Sequence, residues 1–165
     1  MNFEAITVYL SLGSNLGERR ENLDRALDYL SQRMRLVKVS SVYDTEAMGN
    51  SEQPRFFNLV CQIATRLAPA ELLLLVKGIE IKLGRQPGKA NAPRPIDLDI
   101  LFYGDKVVKT KELVIPHPRL TERAFVLVPL AEIAPELVHP TRGKTVKELL
   151  GELKSGIQGV LKLKT

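Results

Sequence analysis

Asp97 and Asp99 stand two positions apart in the run Pro95-Ile96-Asp97-Leu98-Asp99-Ile100-Leu101-Phe102-Tyr103. In a β-strand that spacing puts both carboxylates on one face, while Ile96, Leu98 and Ile100 point the opposite way into a core. Two like charges held side by side repel each other unless a divalent cation neutralises them. Hard oxygen ligands of this kind suit Mg²⁺ bound jointly to substrate phosphates. A bare Asp-x-Asp is also compatible with a solvated sheet face, so its surroundings decide. Arg85, Lys89 and Arg94 lie in or beside the loop that enters this strand, and His117, Arg119 and Arg123 follow on a later proline-bounded segment. Arg94 is held between Pro93 and Pro95, and His117 between Pro116 and Pro118. Phosphoryl transfer depends on positioning and charge neutralisation more than on covalent chemistry, and acids ringed by basic side chains meet that need.

Other chemistries are excluded by spacing. Gly143-Lys144-Thr145 ends like a phosphate-binding P-loop, but the glycine it requires at position 138 is Val138. The stretch from Gly84 to Lys89 has the wrong spacing and no following Ser or Thr. No His and Cys set has zinc spacing, and no Gly-x-Ser-x-Gly elbow is present. The single cysteine, Cys61, sits in an apolar run without a base nearby and reads as a buried strand residue in a reducing compartment. For a second substrate, Phe56, Phe57 and Phe125 offer flat surfaces, and the Asn58 amide can both donate to and accept from a heterocycle. Phe56 and Asn58 share a strand face, which turns Phe57 inward.

The elements that must position these groups are legible from pattern. Ile6 to Leu12 is a β-favouring run that stops at the turn cluster Gly13-Ser14-Asn15-Leu16-Gly17. Leu23, Ala26, Leu27 and Leu30 have amphipathic-helix spacing, with Asn15 and Glu18 as a capping pair. Arg35 to Tyr43 and Phe56 to Leu67 read as strands, separated by the long polar connection Glu46 to Pro54. A second helix starts at Pro69, buries Leu72, Val76, Ile79 and Leu83, and stops at Gly84. After the loop Pro87 to Pro95 comes the Asp-bearing strand, with Val107 to Lys111 as a short partner strand. Short helices over Thr121 to Leu130 and Thr145 to Leu153 complete the chain. The order strand, helix, strand, strand, helix, strand predicts an α+β fold, a ferredoxin-like sandwich. Its antiparallel sheet carries helices on one face, and a C-terminal helical extension follows.

With 165 residues, 44% of them hydrophobic, the chain fits a single domain, 1–165, that buries roughly 70% of its unfolded surface. Twenty-four Lys and Arg against nineteen Asp and Glu give a formal charge of +5, a bias toward anionic partners. There is no signal-peptide pattern, and the longest apolar stretch, Leu72 to Val76, is too short to span a bilayer. The expectation is a cytoplasmic monomer that acts on small molecules, with no nucleic acid and no membrane.

Four segments together resemble the hydroxymethyldihydropterin pyrophosphokinase family, in order and with near-family spacing as far as about Pro140. They are Ser11 to Gly17, Gln53-Pro54 to Asn58, Pro93-Arg94-Pro95-Ile96-Asp97-Leu98-Asp99, and Val114-Ile115-Pro116-His117 with Arg123-x-Phe125. The resemblance implies transfer of diphosphate from ATP to 6-hydroxymethyl-7,8-dihydropterin, giving AMP. It implies two Mg²⁺ ions on Asp97 and Asp99, with Arg85 and Arg94 handling phosphate and transition-state charge. The pterin would stack between Phe56 and Phe125 and pair with Asn58, with Thr45 and Met48 contributing from the loop. Lys77, Glu80, Lys89, Ile100, His117 and Arg123 would lie on the ATP side. Asn91 stands where members often carry a Trp, and Pro118 where an aromatic often follows the histidine. Two other readings stay open: an inactive pterin- or nucleotide-binding paralogue, and an RNA-binding module on the open sheet face. Against the RNA module, the two acids would repel a phosphate backbone.

Overall fold

The computed structural model describes residues 4–47, 53–86, 92–153 and 156–163. Met48, Lys89 and Asn91 lie outside the described residues. Strand β1 (Ile6–Ser14) leads into helix α1 (Arg19–Arg33), followed by β2 (Arg35–Val39), β3 (Tyr43–Thr45) and β4 (Phe56–Thr65). Helix α2 (Pro69–Lys82) and β5 (Asp97–Tyr103) complete the core; then come β6 (Val108–Lys109), β7 (Val114–Ile115), α3 (Ala124–Ile133), α4 (Val146–Glu152) and β8 (Val160–Lys162). The main sheet runs β5-β1-β4-β3-β8, with β2 also on β4, and its pairings are all antiparallel. With β2 and β3 taken as two halves of one edge, this is the predicted ferredoxin-like order.

Alternation along the strands divides the sheet into two faces. Val8, Leu10 and Leu12 of β1, Leu59, Cys61 and Ile63 of β4, and Leu98 and Ile100 of β5 form one core. They pack against Leu23, Ala26 and Leu30 of α1 and Leu72, Val76 and Ile79 of α2. Cys61 is fully buried, and burial pushes its thiol up to about 12, so it is inert as read. On the opposite face Tyr9, Val60, Leu101 and Phe102 make a second core with Val126, Leu127 and Leu130 of α3 and Val146 and Leu149 of α4. The C-terminal extension thus covers half of the face that the pattern leaves open for ligands.

Four local readings change. The predicted strand Arg35 to Tyr43 breaks at Ser40, whose hydroxyl accepts the Val60 N–H at 2.9 Å. Ser41 N–H and the Tyr43 hydroxyl both bond the Glu132 carboxylate of α3. Asn15 does not cap α1: the cap position is Glu18, which makes no side-chain capping bond. Val108–Lys109 pairs with Val114–Ile115 in a separate two-stranded sheet. Strand β8, which closes the outer edge of β3, carries no local pattern that announces it.

Candidate active site

The uncovered half of the second face is a cleft of about 580 Å³. The β5 register sets its floor. Ser11 pairs with Asp99 and Gly13 with Asp97, so both carboxylates rise from the face that Ser11 and Gly13 leave low. Leu101 is the extra residue of a bulge where the register slips between Tyr9 and Leu10. Its carbonyl accepts the His117 N–H at 3.0 Å, which fixes that later segment beside the acids.

One set of groups at the cleft is cationic. Arg85 Nη1 donates to Asp97 Oδ1 at 2.7 Å and to Glu80 Oε2 at 2.8 Å. Burial lowers the Arg85 pKa, but the charges of Asp97 and Glu80 outweigh it and the net shift is upward. Asp99 is pushed up to about 7, first by burial and then by the charge of Asp97, with Arg123 opposing. The Nε–H groups of Arg94 and Arg123 are buried without a partner among the described residues. A buried guanidinium donor left unpaired is costly, and an anion in the cleft would satisfy it. His117 is lowered to about 4 by burial and by the Arg123 charge, and is therefore neutral near pH 7. Its Nδ1 accepts the Arg119 N–H at 3.2 Å, which places the ring proton on Nε2 as a donor.

A second set is flat or amide-bearing. Phe56, Phe125, Asn58 and Thr45 line the cleft together with Gln53. The Asn58 amide donates to Thr45 Oγ1 at 2.6 Å, which orients its oxygen toward Gly13. A Cβ on Gly13 would stand 2.5 Å from that oxygen and 3.3 Å from the Phe56 ring, so only glycine lets the two strands carry both side chains here. The Arg94 and Arg123 guanidiniums lie 5.6 Å and 5.5 Å from the Phe56 and Phe125 ring centres, so cations and rings meet in one space.

Of the residues selected from sequence, Thr45, Phe56, Asn58, Lys77, Arg85, Arg94, Asp97, Asp99, His117, Arg123 and Phe125 converge on this cleft. Glu80 does not line it; its carboxylate is buried behind Arg85. The Ile100 side chain belongs to the core, and the residue borders only a smaller neighbouring cavity with Lys111, Glu112 and His117. Asn15, read as a cap, is a clamp. Its Oδ1 accepts the Arg94 N–H at 2.8 Å and its own N–H reaches the Arg94 carbonyl at 3.1 Å. Its amide also donates to Gln53 and Pro54. Ser11, Gly13 and Gln53 escape a search for reactive side chains, although the alternation of small residues with Leu10 and Leu12 is a readable sign of an open face.

Among the described residues no cluster of three or more His, Cys, Asp or Glu side chains could hold a metal. Two adjacent carboxylates remain, one of them now neutralised by Arg85. That set fits Mg²⁺, which commonly takes one or two carboxylates and completes its sphere with phosphate oxygens and water.

Residues 9–135 match the family described as 7,8-dihydro-6-hydroxymethylpterin-pyrophosphokinase. The chain is 43% identical over 146 residues to the 2-amino-4-hydroxy-6-hydroxymethyldihydropteridine pyrophosphokinase of Aquifex aeolicus, covering 88% of this chain and 91% of that one. It is 44% identical over 131 residues to the Bacillus subtilis enzyme of the same name, 78% of each chain. The folic acid synthesis protein fol1 of Pneumocystis carinii is 44% identical over 140 residues, but this chain spans only 19% of its length. Among solved structures, the wild-type HPPK-DHPS of Plasmodium falciparum with pterin and p-hydroxybenzoate superposes with a TM-score of 0.75 at 17% identity. That match covers 96% of this chain and 45% of that one, and it shows the shared fold. With its motifs, its fold and these relatives in agreement, the chain belongs to the 7,8-dihydro-6-hydroxymethylpterin-pyrophosphokinase family.

Proposed function

We propose that this chain transfers diphosphate from ATP to the hydroxyl of 6-hydroxymethyl-7,8-dihydropterin, releasing AMP, as a step of folate biosynthesis. The observation that carries the reading is one cleft that holds two kinds of group. Guanidinium donors without a partner among the described residues and a neutral imidazole line it together with Phe56, Phe125, Asn58 and the Asp97–Asp99 pair. A polyanion and a flat, amide-bearing ring are the two ligands such a lining would hold together.

Asp97 and Asp99 would hold two Mg²⁺ ions, which would supply screening of the charge that develops on the phosphates. The chain's own groups do the rest. Arg94 and Arg123 aim buried Nε–H donors at the phosphates, and the His117 Nε2–H adds a neutral donor. Phe56 and Phe125 sandwich the pterin, and Asn58, oriented by Thr45, reads its edge. In that arrangement the pterin hydroxyl is held in line with the β-phosphorus, which converts a collision of two substrates into a local displacement. Met48 and Lys89 belong to the same reading, on the pterin and ATP sides respectively.

The same reading takes residues 1–165 as one domain, monomeric and cytoplasmic, acting on small molecules without nucleic acid or membrane. In its support, no helix among the described residues is long and apolar enough to cross a membrane. Helices α3 and α4 occupy the part of the sheet that an RNA strand would need. The test is AMP formation by the purified chain from ATP and 6-hydroxymethyl-7,8-dihydropterin, with and without Mg²⁺. AMP is expected only when pterin and metal are both present; ADP, or turnover indifferent to pterin, would refute the reading.

A further inference from the structure

Helix α2 ends in a motif that aims Arg85. Gly84 adopts φ 98°, its N–H bonds the Ile81 carbonyl at 3.0 Å, and the Arg85 N–H bonds the Glu80 carbonyl at 3.0 Å. This six-to-one closure through a left-handed glycine brings the side chains at its two ends face to face, and that contact is commonly apolar. Here it is an ion pair between Glu80 and Arg85 at 2.8 Å. The Glu80 side chain is only 4% exposed. Its Oε2 also accepts the Leu98 N–H at 2.8 Å, one residue from Asp97, and Lys77 Nζ lies 3.6 Å from Oε1 at the surface. Glu80 therefore has no free face toward the cleft, whereas Lys77, Arg85 and Asp97 all line it.

We propose that Glu80 is a positioning residue for Arg85, a buried pivot that keeps the guanidinium at the lip of the cleft after Asp97 is engaged elsewhere, and that it does not touch the nucleotide. The inference rests on the reading of this cleft as a diphosphate-transfer site. Arg85 Nη1 is shared between two carboxylates. A cation on Asp97 removes one of them, and an arginine held only by Asp97 would then be free to leave. The second partner cannot leave with it, because Glu80 is locked by the Leu98 N–H and by the helix end. Among the described residues both Arg85 side-chain bonds depart from Nη1, which leaves Nη2 and Nε–H for phosphate oxygens.

A double-substitution cycle tests this. Glu80→Gln retains an acceptor for the Leu98 N–H and loses the charge that holds Arg85. Alone it should lower kcat for AMP formation by about tenfold to a hundredfold, while calorimetric affinity for a non-hydrolysable ATP analogue with Mg²⁺ stays within about threefold. In an Arg85→Ala background the same substitution should change kcat by less than about twofold, since a residue acting through another has nothing left to position. Equal losses in both backgrounds would overturn the proposal, as would about tenfold weaker analogue binding by Glu80→Gln. If Glu80→Gln does not fold, Gly84→Ala disturbs the same pairing through the left-handed cap and is judged by the same two criteria. A wild-type chain that makes no AMP overturns the reading of the cleft and the pivot with it, whereas a chain that makes AMP with equal losses in both backgrounds overturns the pivot alone.

Discussion

One face of this sheet serves two purposes within a few residues. Toward one end Tyr9, Val60, Leu101 and Phe102 are sealed under α3 and α4. Toward the other, the same three strands present Ser11 and Gly13, Asn58 and Phe56, and Asp97 and Asp99 to an open cleft. Two positions along a strand, about 7 Å, separate Tyr9 from Ser11 and Val60 from Asn58. Backbone geometry is shared across the boundary; what changes is side-chain size and polarity. Large apolar groups recruit helices, whereas small and charged groups leave a hollow lined with donors. Helix α3 straddles the boundary, with Arg123 and Phe125 at its start in the cleft and Val126, Leu127 and Leu130 in the core.

The contrast predicts opposite consequences for substitutions at the two ends. Asp97→Ala should reduce AMP formation by about three orders of magnitude or more, with circular dichroism and melting temperature nearly unchanged, because it removes chemistry and no packing. Turnover close to that of the unsubstituted chain would break the comparison at once. Phe102→Ala, by contrast, should cost about 3–5 kcal/mol in denaturant unfolding, since a side chain only 1% exposed leaves a cavity among Tyr9, Leu127 and Leu130. Gly13→Ala is the smaller, sharper test. Its methyl must displace Asn58 or Phe56, so pterin affinity should fall by roughly tenfold while ATP-analogue affinity holds, a split that calorimetry reads directly.

Much of this was legible in the sequence because it is local. Period-two alternation put Asp97 and Asp99 on the face opposite Leu98, and helical spacing identified the buried stripes Leu23-Ala26-Leu30 and Leu72-Val76-Ile79. What escaped depends on distant partners. Asn15 has the residue type of a helix cap, but its partners are 38 to 79 residues away, Gln53 and Arg94 among them. Ser41 interrupts a strand through Glu132, 91 residues on. Strand β8 is only three residues long and exists because β3 offers it an edge. Glu80 shows the same limit from another side: the resemblance puts it on the ATP side, but the closure at Gly84 turns Arg85 back over it and its carboxylate does not line the cleft.

The most direct measurement compares Asp99→Asn with the unsubstituted chain at pH 8, reading unfolding free energy without metal and AMP formation with it. Asp99 titrates near 7 in the folded chain, against about 4 when unfolded. Between those values the native state holds a proton that the unfolded chain has released, so stability falls as pH rises through the window. Above it the charged carboxylate is a liability to folding that only a cation offsets, and below about pH 7 a proton should weaken Mg²⁺ binding about tenfold per pH unit. The account predicts that Asp99→Asn is at least as stable as the unsubstituted chain at pH 8 and has lost turnover. A variant that is less stable yet still forms AMP would show that Asp99 belongs to the scaffold and not to the site.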